Sequence, residues 1–368
     1  MIRTDFSDCK NICIIGDLHR GHGRDNEWLF GKQNRWLHEW FFPFLRDNHI
    51  DLVIQTGDWF DNRRHISHKC MQHTRQHLIE PIQEMGIPWI VPVGNHDIYH
   101  RENVHPNSPR ELLSHVPEIH VIDEPTTCTI GQSSWDFIPW ICRSNHDRVK
   151  EFIRSSTSEY CVGHFELGGF LYYPGMTSTG ENCAFLKNYI QVFSGHYHCI
   201  SQGANVLFTG TPWTMTMGDA DDARGVWTCN ADDASNPTFH QGPGTWHHRR
   251  NFDANEWNEE QTKKLKELGD SVVQFMVLNA VSDDARFSIE SVQSELLDTL
   301  HDVRLKYADS IAGDLDSDDE SAIEDMQARS PMAILESWVE DRVEDTDRRD
   351  QMMKILRDLY SEAAVENG

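Results

Sequence analysis

The chain has 368 residues, enough for one large domain and a smaller one, and no apolar run approaches the roughly 18–20 residues that a membrane span needs. Its net charge of −26, from 33 basic and 59 acidic residues, weighs against a surface built mainly to hold a polyanion, because phosphate contacts come from Lys and Arg. The start, Met1-Ile2-Arg3-Thr4-Asp5, lacks the apolar stretch of a signal peptide, and nine cysteines with no Cys-x-x-Cys pair read as reduced, mostly buried thiols. The expected setting is therefore cytoplasmic.

Residues 12–15 form a short apolar run ending in Gly16-Asp17, as a buried strand does when it delivers a loop. A helix-like segment over 27–48 separates it from residues 52–55, which end in Gly57-Asp58. Another, over 68–85, leads to residues 89–93, which end in Gly94-Asn95-His96-Asp97. Residues 159–162 and 191–194 read as further strands, ending in Gly163-His164 and Gly195-His196, and 206–209 and 225–229 as later ones. Each polar cluster thus follows a strand, where α/β folds place their ligand loops. The texture changes near residue 250. A helical stretch over 255–268, a β-rich run over 272–280, a helical stretch over 287–297 and a short strand over 303–307 suggest a small second domain. The division expected is 1–250, 251–310, an acidic linker over 311–329 and C-terminal helices over 330–368. Ser330-Pro331 suits a helix start, and the stripes Met332, Leu335, Trp338, Val339, Val343 and Met353, Ile355, Leu356, Leu359 are amphipathic. These helices either pack on the second domain or bind a partner.

The clusters carry the chemistry. Asp17 and His19 are two residues apart in a strand-to-loop turn and can share one metal. The glycine before Asp58 lets the backbone approach closely, and the two carboxylate oxygens of Asp58 can bridge two cations. Asp61 is either a supporting partner or a surface acid. In Gly94-Asn95-His96-Asp97 adjacent side chains cannot all face one metal, so the economical arrangement has Asn95 as ligand, His96 as proton donor and Asp97 holding the His96 ring. His164 stands alone, whereas His196 and His198 again lie two residues apart. Mixed oxygen and imidazole donors suit manganese, iron or zinc better than calcium.

The order D-x-H, G-D-x-x-D, G-N-H-D, G-H and G-H-x-H resembles the calcineurin-like metallophosphoesterase superfamily. That resemblance implies an α/β fold, a β-sandwich flanked by helices, followed here by a small α+β capping domain and C-terminal helices. It implies that one divalent ion takes Asp17, His19, Asp58 and His198 and a second takes Asp58, Asn95, His164 and His196, with manganese as the ion and His96, supported by Asp97, as the catalytic pair. Gly163–Phe170, Phe193–His198, Gly210-Thr211-Pro212-Trp213 and Gly218-Asp219-Ala220 look like the phage branch of the SbcD / meiotic-recombination-eleven type nucleases, most densely over residues 12–227. The implied function is a two-metal DNA nuclease subunit, exonuclease on duplex ends and endonuclease on single strands or hairpins, processing double-strand breaks for recombination and repair. An SbcC-type coiled-coil ATPase partner, a homodimer within a two-plus-two complex, no membrane, and a bacterial host cytoplasm for a phage-encoded chain complete that picture. Arg20, His22, Arg24, Arg63, Arg64 and His65 follow the first two metal loops and are the candidate DNA-phosphate contacts, or else solvated surface side chains. The alternative is a small-molecule phosphodiesterase or phosphatase of the same superfamily. A Ser/Thr phosphatase is disfavoured, because Asp61-Asn62-Arg63 and Asp97 stand where G-D-x-x-D-R-G and G-N-H-E would be expected.

Overall fold

The structure, a computed structural model, describes residues 3–173, 175–253, 256–278 and 283–307. The acidic linker and C-terminal helices expected over 311–368 lie outside these. Strands β1 (Asn11–Ile15), β2 (Leu52–Gln55), β3 (Trp89–Pro92) and β4 (Ile119–Ile122) lie side by side and parallel. A second sheet is built on β5 (Thr126–Ile130), β6 (Ser133–Ile138), β7 (Tyr160–His164), β8 (Gln191–Gly195) and β9 (Val206–Phe208), in which β6 to β9 are parallel. Asp5–Phe6 and Ser201–Gly203 form its edges and make it seven-stranded. The chain then returns to the first sheet with β10 (Gly225–Asn230), antiparallel to β1, and β11 (Thr238–Gln241), completing six strands.

Side-chain alternation explains the layering. Ile12, Ile14, Leu52 and Ile54 meet Phe137, Val162, Phe193 and Leu207 of the other sheet, while the intervening Cys13, Ile15 and Val53 face Leu37, Phe41, Leu78 and Ile82 on helices. On the far side, Cys161 and Val192 pack against Val149 and Ile153 of the helix His146–Ser155. The result is helix, sheet, sheet, helix. Strands buried on both faces need apolar residues at every position, which is why they stand out as continuous runs. Each such Val, Leu or Ile contributes about 1.5–3 kcal/mol on burial. All nine cysteines are free thiols, and eight of them are buried. No helix among the described residues is long and apolar enough to cross a membrane.

The two long helices expected after β1 and β2 are each interrupted. α1 (Glu27–Trp36) and α2 (Phe42–Asp47) join through a π turn at Leu37–Phe41, and α3 (His68–Thr74) and α4 (Glu80–Met85) through one at Arg75–Ile79. Pro43 and Pro81 lie just beyond each turn and cannot donate to the helical ladder. The N–H groups immediately before them, of Phe42 and Glu80, reach back five residues to the carbonyls of Leu37 and Arg75.

Beyond residue 246 a three-stranded parallel sheet forms from β12 (His247–Asp253), β13 (Val272–Leu278) and β14 (Asp302–Tyr307). With α5 (Glu259–Lys266) and α6 (Asp283–Leu296) it encloses its own core of Phe252, Leu265, Phe275, Ile289 and Leu296. Its first strand straddles position 250. This sheet belongs to the same compact unit as the two larger sheets. Trp28 of α1 fixes it there, donating to Asp270 Oδ1 at 2.8 Å and stacking on His301 at 4.4 Å.

Candidate metal centre

Because β1, β2 and β3 run parallel to one another, as do β7 and β8, the carboxyl ends of all five open onto one cluster. Asp17, His19, Asp58 and His164 are almost completely buried there. His19 (φ 42°), Asp58 (φ 54°) and His196 (φ 90°) adopt left-handed backbone, at a cost of order 1–3 kcal/mol for each side-chain-bearing residue. Local hydrogen bonds hold them in it. The N–H groups of Leu18 and His19 donate to the Asp58 carbonyl at 3.1 and 3.0 Å. His196 N–H donates to Asp17 Oδ2 at 2.8 Å, and His96 N–H to Asp58 Oδ1 at 2.7 Å. Glycines make the packing possible: a Cβ at position 94 would lie 2.2 Å from Asp58 Oδ1, and one at position 195 would lie 2.3 Å from Asp17 Oδ1.

The ligand-type atoms converge in overlapping sets. Asp17, His19 and His198 form one, Asp17, Asp58 and His164 a second, and His19, Asp61 and His96 a third, each with atoms within 4.8 Å of one another. His164 Nε2 lies 3.2 Å from Asp58 Oδ2 and 2.8 Å from Asn95 Oδ1, which also lies 2.9 Å from His196 Nδ1. His19 Nε2 lies 3.7 Å from Asp58 Oδ2 and 3.3 Å from His198 Nε2. Burial lowers the pKa of His19, but Asp61 and Asp58 raise it to about 9. Burial likewise lowers His164, and the Asp58 and Asp17 charges carry it to about 9. Asp58, which burial alone would raise, is held well below the usual carboxylate range by the His164 and His96 charges. Burial and the nearby His19 charge push His198 down to about 3, and burial and His164 push His196 down as well. Burial thus disfavours charge on His196 and His198, while the carboxylates favour on His19 and His164 a positive charge that a cation would replace. Buried carboxylates and imidazole nitrogens converging at these distances fit divalent ions.

A surrounding layer of contacts orients these groups. The Thr56 carbonyl accepts from His164 Nδ1 at 2.9 Å, which turns Nε2 toward Asp58 and Asn95. Thr56 Oγ1 donates to Asp17 Oδ1 at 3.2 Å. Asp61 proves to be a supporting partner, with Oδ1 at 3.2 Å from His19 Nδ1 and 2.9 Å from His22 Nδ1. The half-buried Trp140 lays its ring 5.1 Å from that of His196 and 5.8 Å from that of His164.

Three expectations need correction. Asp97 is not the partner of the His96 ring. Its carboxylate accepts the N–H groups of Asp58 (3.0 Å), Trp59 (3.0 Å), Phe60 (3.3 Å) and Gly94 (2.9 Å), which fills its lone-pair positions. The His96 ring is instead held through Nδ1 by the Asp61 carbonyl, at 2.7 Å. Arg20 cannot meet DNA phosphate, because it is fully buried and bonded to Gln33 and Asn34 of α1 at 2.7 and 2.8 Å. His22 is also buried, against Asp61. Arg24, Arg64 and His65 are exposed, and Arg63 is half-buried. Sequence reasoning gave no role to Thr56, Trp140 or Arg224. Thr56 had a signal in its place directly before Gly57-Asp58; the others had none, since their partners are distant in the chain.

The calcineurin-like phosphoesterase family matches residues 10–199, a span that contains Asp17, His19, Asp58, Asn95, His164, His196 and His198. The chain belongs to the calcineurin-like phosphoesterase family, the metal-dependent phosphoester hydrolases. More particularly, it is 34% identical over 353 residues to exonuclease subunit 1 of Enterobacteria phage T4, covering 96% of this chain and 99% of that one. Among solved structures it is similar to GAP50, the anchor in the inner membrane complex of Plasmodium, with a TM-score of 0.38 and 10% identity over 64% of this chain and 89% of that one.

Proposed function

We propose that this chain is the nuclease subunit of a two-metal DNA-cleaving complex, exonuclease on duplex ends and endonuclease on single strands or hairpins, acting in double-strand-break processing within a bacterial cytoplasm. The observation that carries this reading is the extent of the T4 likeness. The 34% identity to an exonuclease subunit runs through 96% of the chain, well past the metal-site segment that any phosphoesterase of the family would share.

Asp17, His19, Asp58 and His198 would hold one cation and Asp58, Asn95, His164 and His196 the other, with Asp58 common to both sets. Divalent ions bound there, manganese in this reading, supply Lewis acidity toward the phosphoryl oxygens and lower the pKa of a bound water. His96 donates Nδ1–H to the Asp61 carbonyl, so the proton for the leaving oxygen would come from Nε2–H of the doubly protonated ring, leaving the neutral imidazole, a contribution of about 10²–10⁴-fold. Residues 251–310 act as a cap beside the site, and residues 330–368 hold an SbcC-type coiled-coil ATPase in a two-plus-two complex. Arg24, Arg63, Arg64 and His65 are the remaining candidates for phosphate contacts.

The decisive experiment incubates the protein with linear duplex DNA and Mn²⁺, with EDTA and His96→Ala controls. Cleavage is expected, abolished by EDTA and by H96A, with bound metal in H96A near the wild-type content. Loss of both metals in H96A would assign His96 to the ligand set instead. Turnover of a small phosphodiester with intact DNA would assign the chain to the small-molecule alternative.

A further inference from the structure

Beneath His198 lies a buried charged pair that the ligand set does not include. Arg224 is almost fully buried, as is Asp219. Both belong to the loop between β9 and β10, 21 and 26 residues after His198. Asp219 Oδ2 accepts the N–H groups of Met215 at 2.9 Å and Thr216 at 3.1 Å, and Oδ1 accepts from Arg224 at 3.2 Å. Oδ1 also lies 4.0 Å from His198 Nδ1, beyond hydrogen-bond reach but close enough for its charge to act on the ring, while Nε2 on the other side of the ring lies 3.3 Å from His19 Nε2. Arg224 in turn donates to the carbonyl of His198 and to Thr211 Oγ1, and its other end pairs with Asp222 at 3.0 Å. A buried guanidinium is costly unless several acceptors surround it. One of these acceptors is the main chain of a metal-site residue, and another is a carboxylate aimed at the same residue's ring.

We infer that Asp219, clamped by Arg224, is a positioning residue for His198: the carboxylate orients the ring and favours Nδ1–H, so that Nε2 points at the cation shared with Asp17 and His19. The arginine fixes the backbone from which the ring projects. Groups placed in this way behind a ligating histidine typically change metal affinity about 10–100-fold when removed. The inference rests on His198 being a ligand, and the test separates the two claims.

Mn²⁺ binding to the full-length chain is measured by titration and electron paramagnetic resonance for wild type, His198→Ala, Asp219→Asn and the double variant. H198A is expected to weaken one of two Mn²⁺ sites; unchanged binding would overturn the ligand reading itself. D219N is expected to weaken the same site about 10–100-fold, and to add little when His198 is already gone, because it acts through that ring. Wild-type Mn²⁺ affinity in D219N, or losses that simply add in the double variant, would overturn the positioning role while leaving the ligand reading intact. Asp222 still pairs Arg224 in D219N. Should D219N lack a cooperative melt without metal, Arg224→Lys takes its place in the same cycle, with the same two outcomes decisive.

Discussion

Four main-chain N–H groups end on the Asp97 carboxylate, three from Asp58, Trp59 and Phe60 and one from Gly94. The side chain therefore ties the second metal loop to the third, whereas the His96 ring adds a single bond between them, to the Asp61 carbonyl. The two residues should fail differently when changed. Asp97→Ala strands several buried donors, each worth about 1–3 kcal/mol when left unsatisfied, so it is expected to lower stability by at least about 3 kcal/mol and to lose both metals. Denaturant unfolding with metal analysis checks this, against H96A as the variant that keeps its metals. A D97A protein that unfolds like wild type would show that water or a rearranged loop satisfies those donors. Arg20 teaches a related lesson. Its local sequence, Arg20-Gly21-His22-Gly23-Arg24, reads as a basic exposed loop, yet Gln33 and Asn34 on the following helix draw it inside.

Among the elements, the short helix Ser108–Leu113 is tied to the end of β4 by a fork of hydrogen bonds. Arg110 Nε donates to Asp123 Oδ2 at 2.7 Å, and the terminal nitrogen donates to Asp123 Oδ1 and to the Val121 carbonyl. Burial would raise the Asp123 pKa, but the Arg110 hydrogen bond and charge bring it below the usual 3.8. A folded pKa below the unfolded one means that the pair stabilises the protein above about pH 4 and that this part is lost as the pH falls further. Asp123→Asn is expected to cost about 1–3 kcal/mol at pH 7, with the gap to wild type narrowing below pH 4. Equal gaps at pH 3 and pH 7 in urea titrations would refute it. Which elements were legible follows from their burial. β1, β2, β3, β7 and β8 showed in the sequence because both faces are covered, and the metal residues showed because they sit at the ends of those runs. β12, with the sequence His-His-Arg-Arg-Asn-Phe-Asp, could not be seen that way: it buries His247, His248 and Phe252 among exposed polar residues. The supports Asp219 and Arg224 escaped for a different reason, since their partners are the carbonyl and ring of His198, more than twenty positions away.

For the molecule as a whole, the net charge of −26 has to be reconciled with the proposed DNA substrate. Part of the acid lies in the stretch Gly313–Asp325, GDLDSDDESAIED, beyond the last described strand, and divalent cations bound at the site would reverse the sign of the field there. The described fold closes without that stretch, since β14 ends at Tyr307 and its Val303 packs into the core with Leu300. A chain ending at Asp325 should therefore keep every group of the metal centre and the contacts of Trp28 with the C-terminal sheet. It is expected to melt within a few degrees of the full chain (~1 kcal/mol corresponds to about 2–4 °C at this size) and to cleave linear duplex with Mn²⁺ at a similar rate. What it should lose is the apolar stripe of Leu335, Trp338 and Val339, and with it co-purification with an SbcC-type ATPase. Retained co-purification would move the partner surface onto residues 1–325. Lost cleavage together with an unchanged melt would mean that residues 326–368 serve the nuclease site directly.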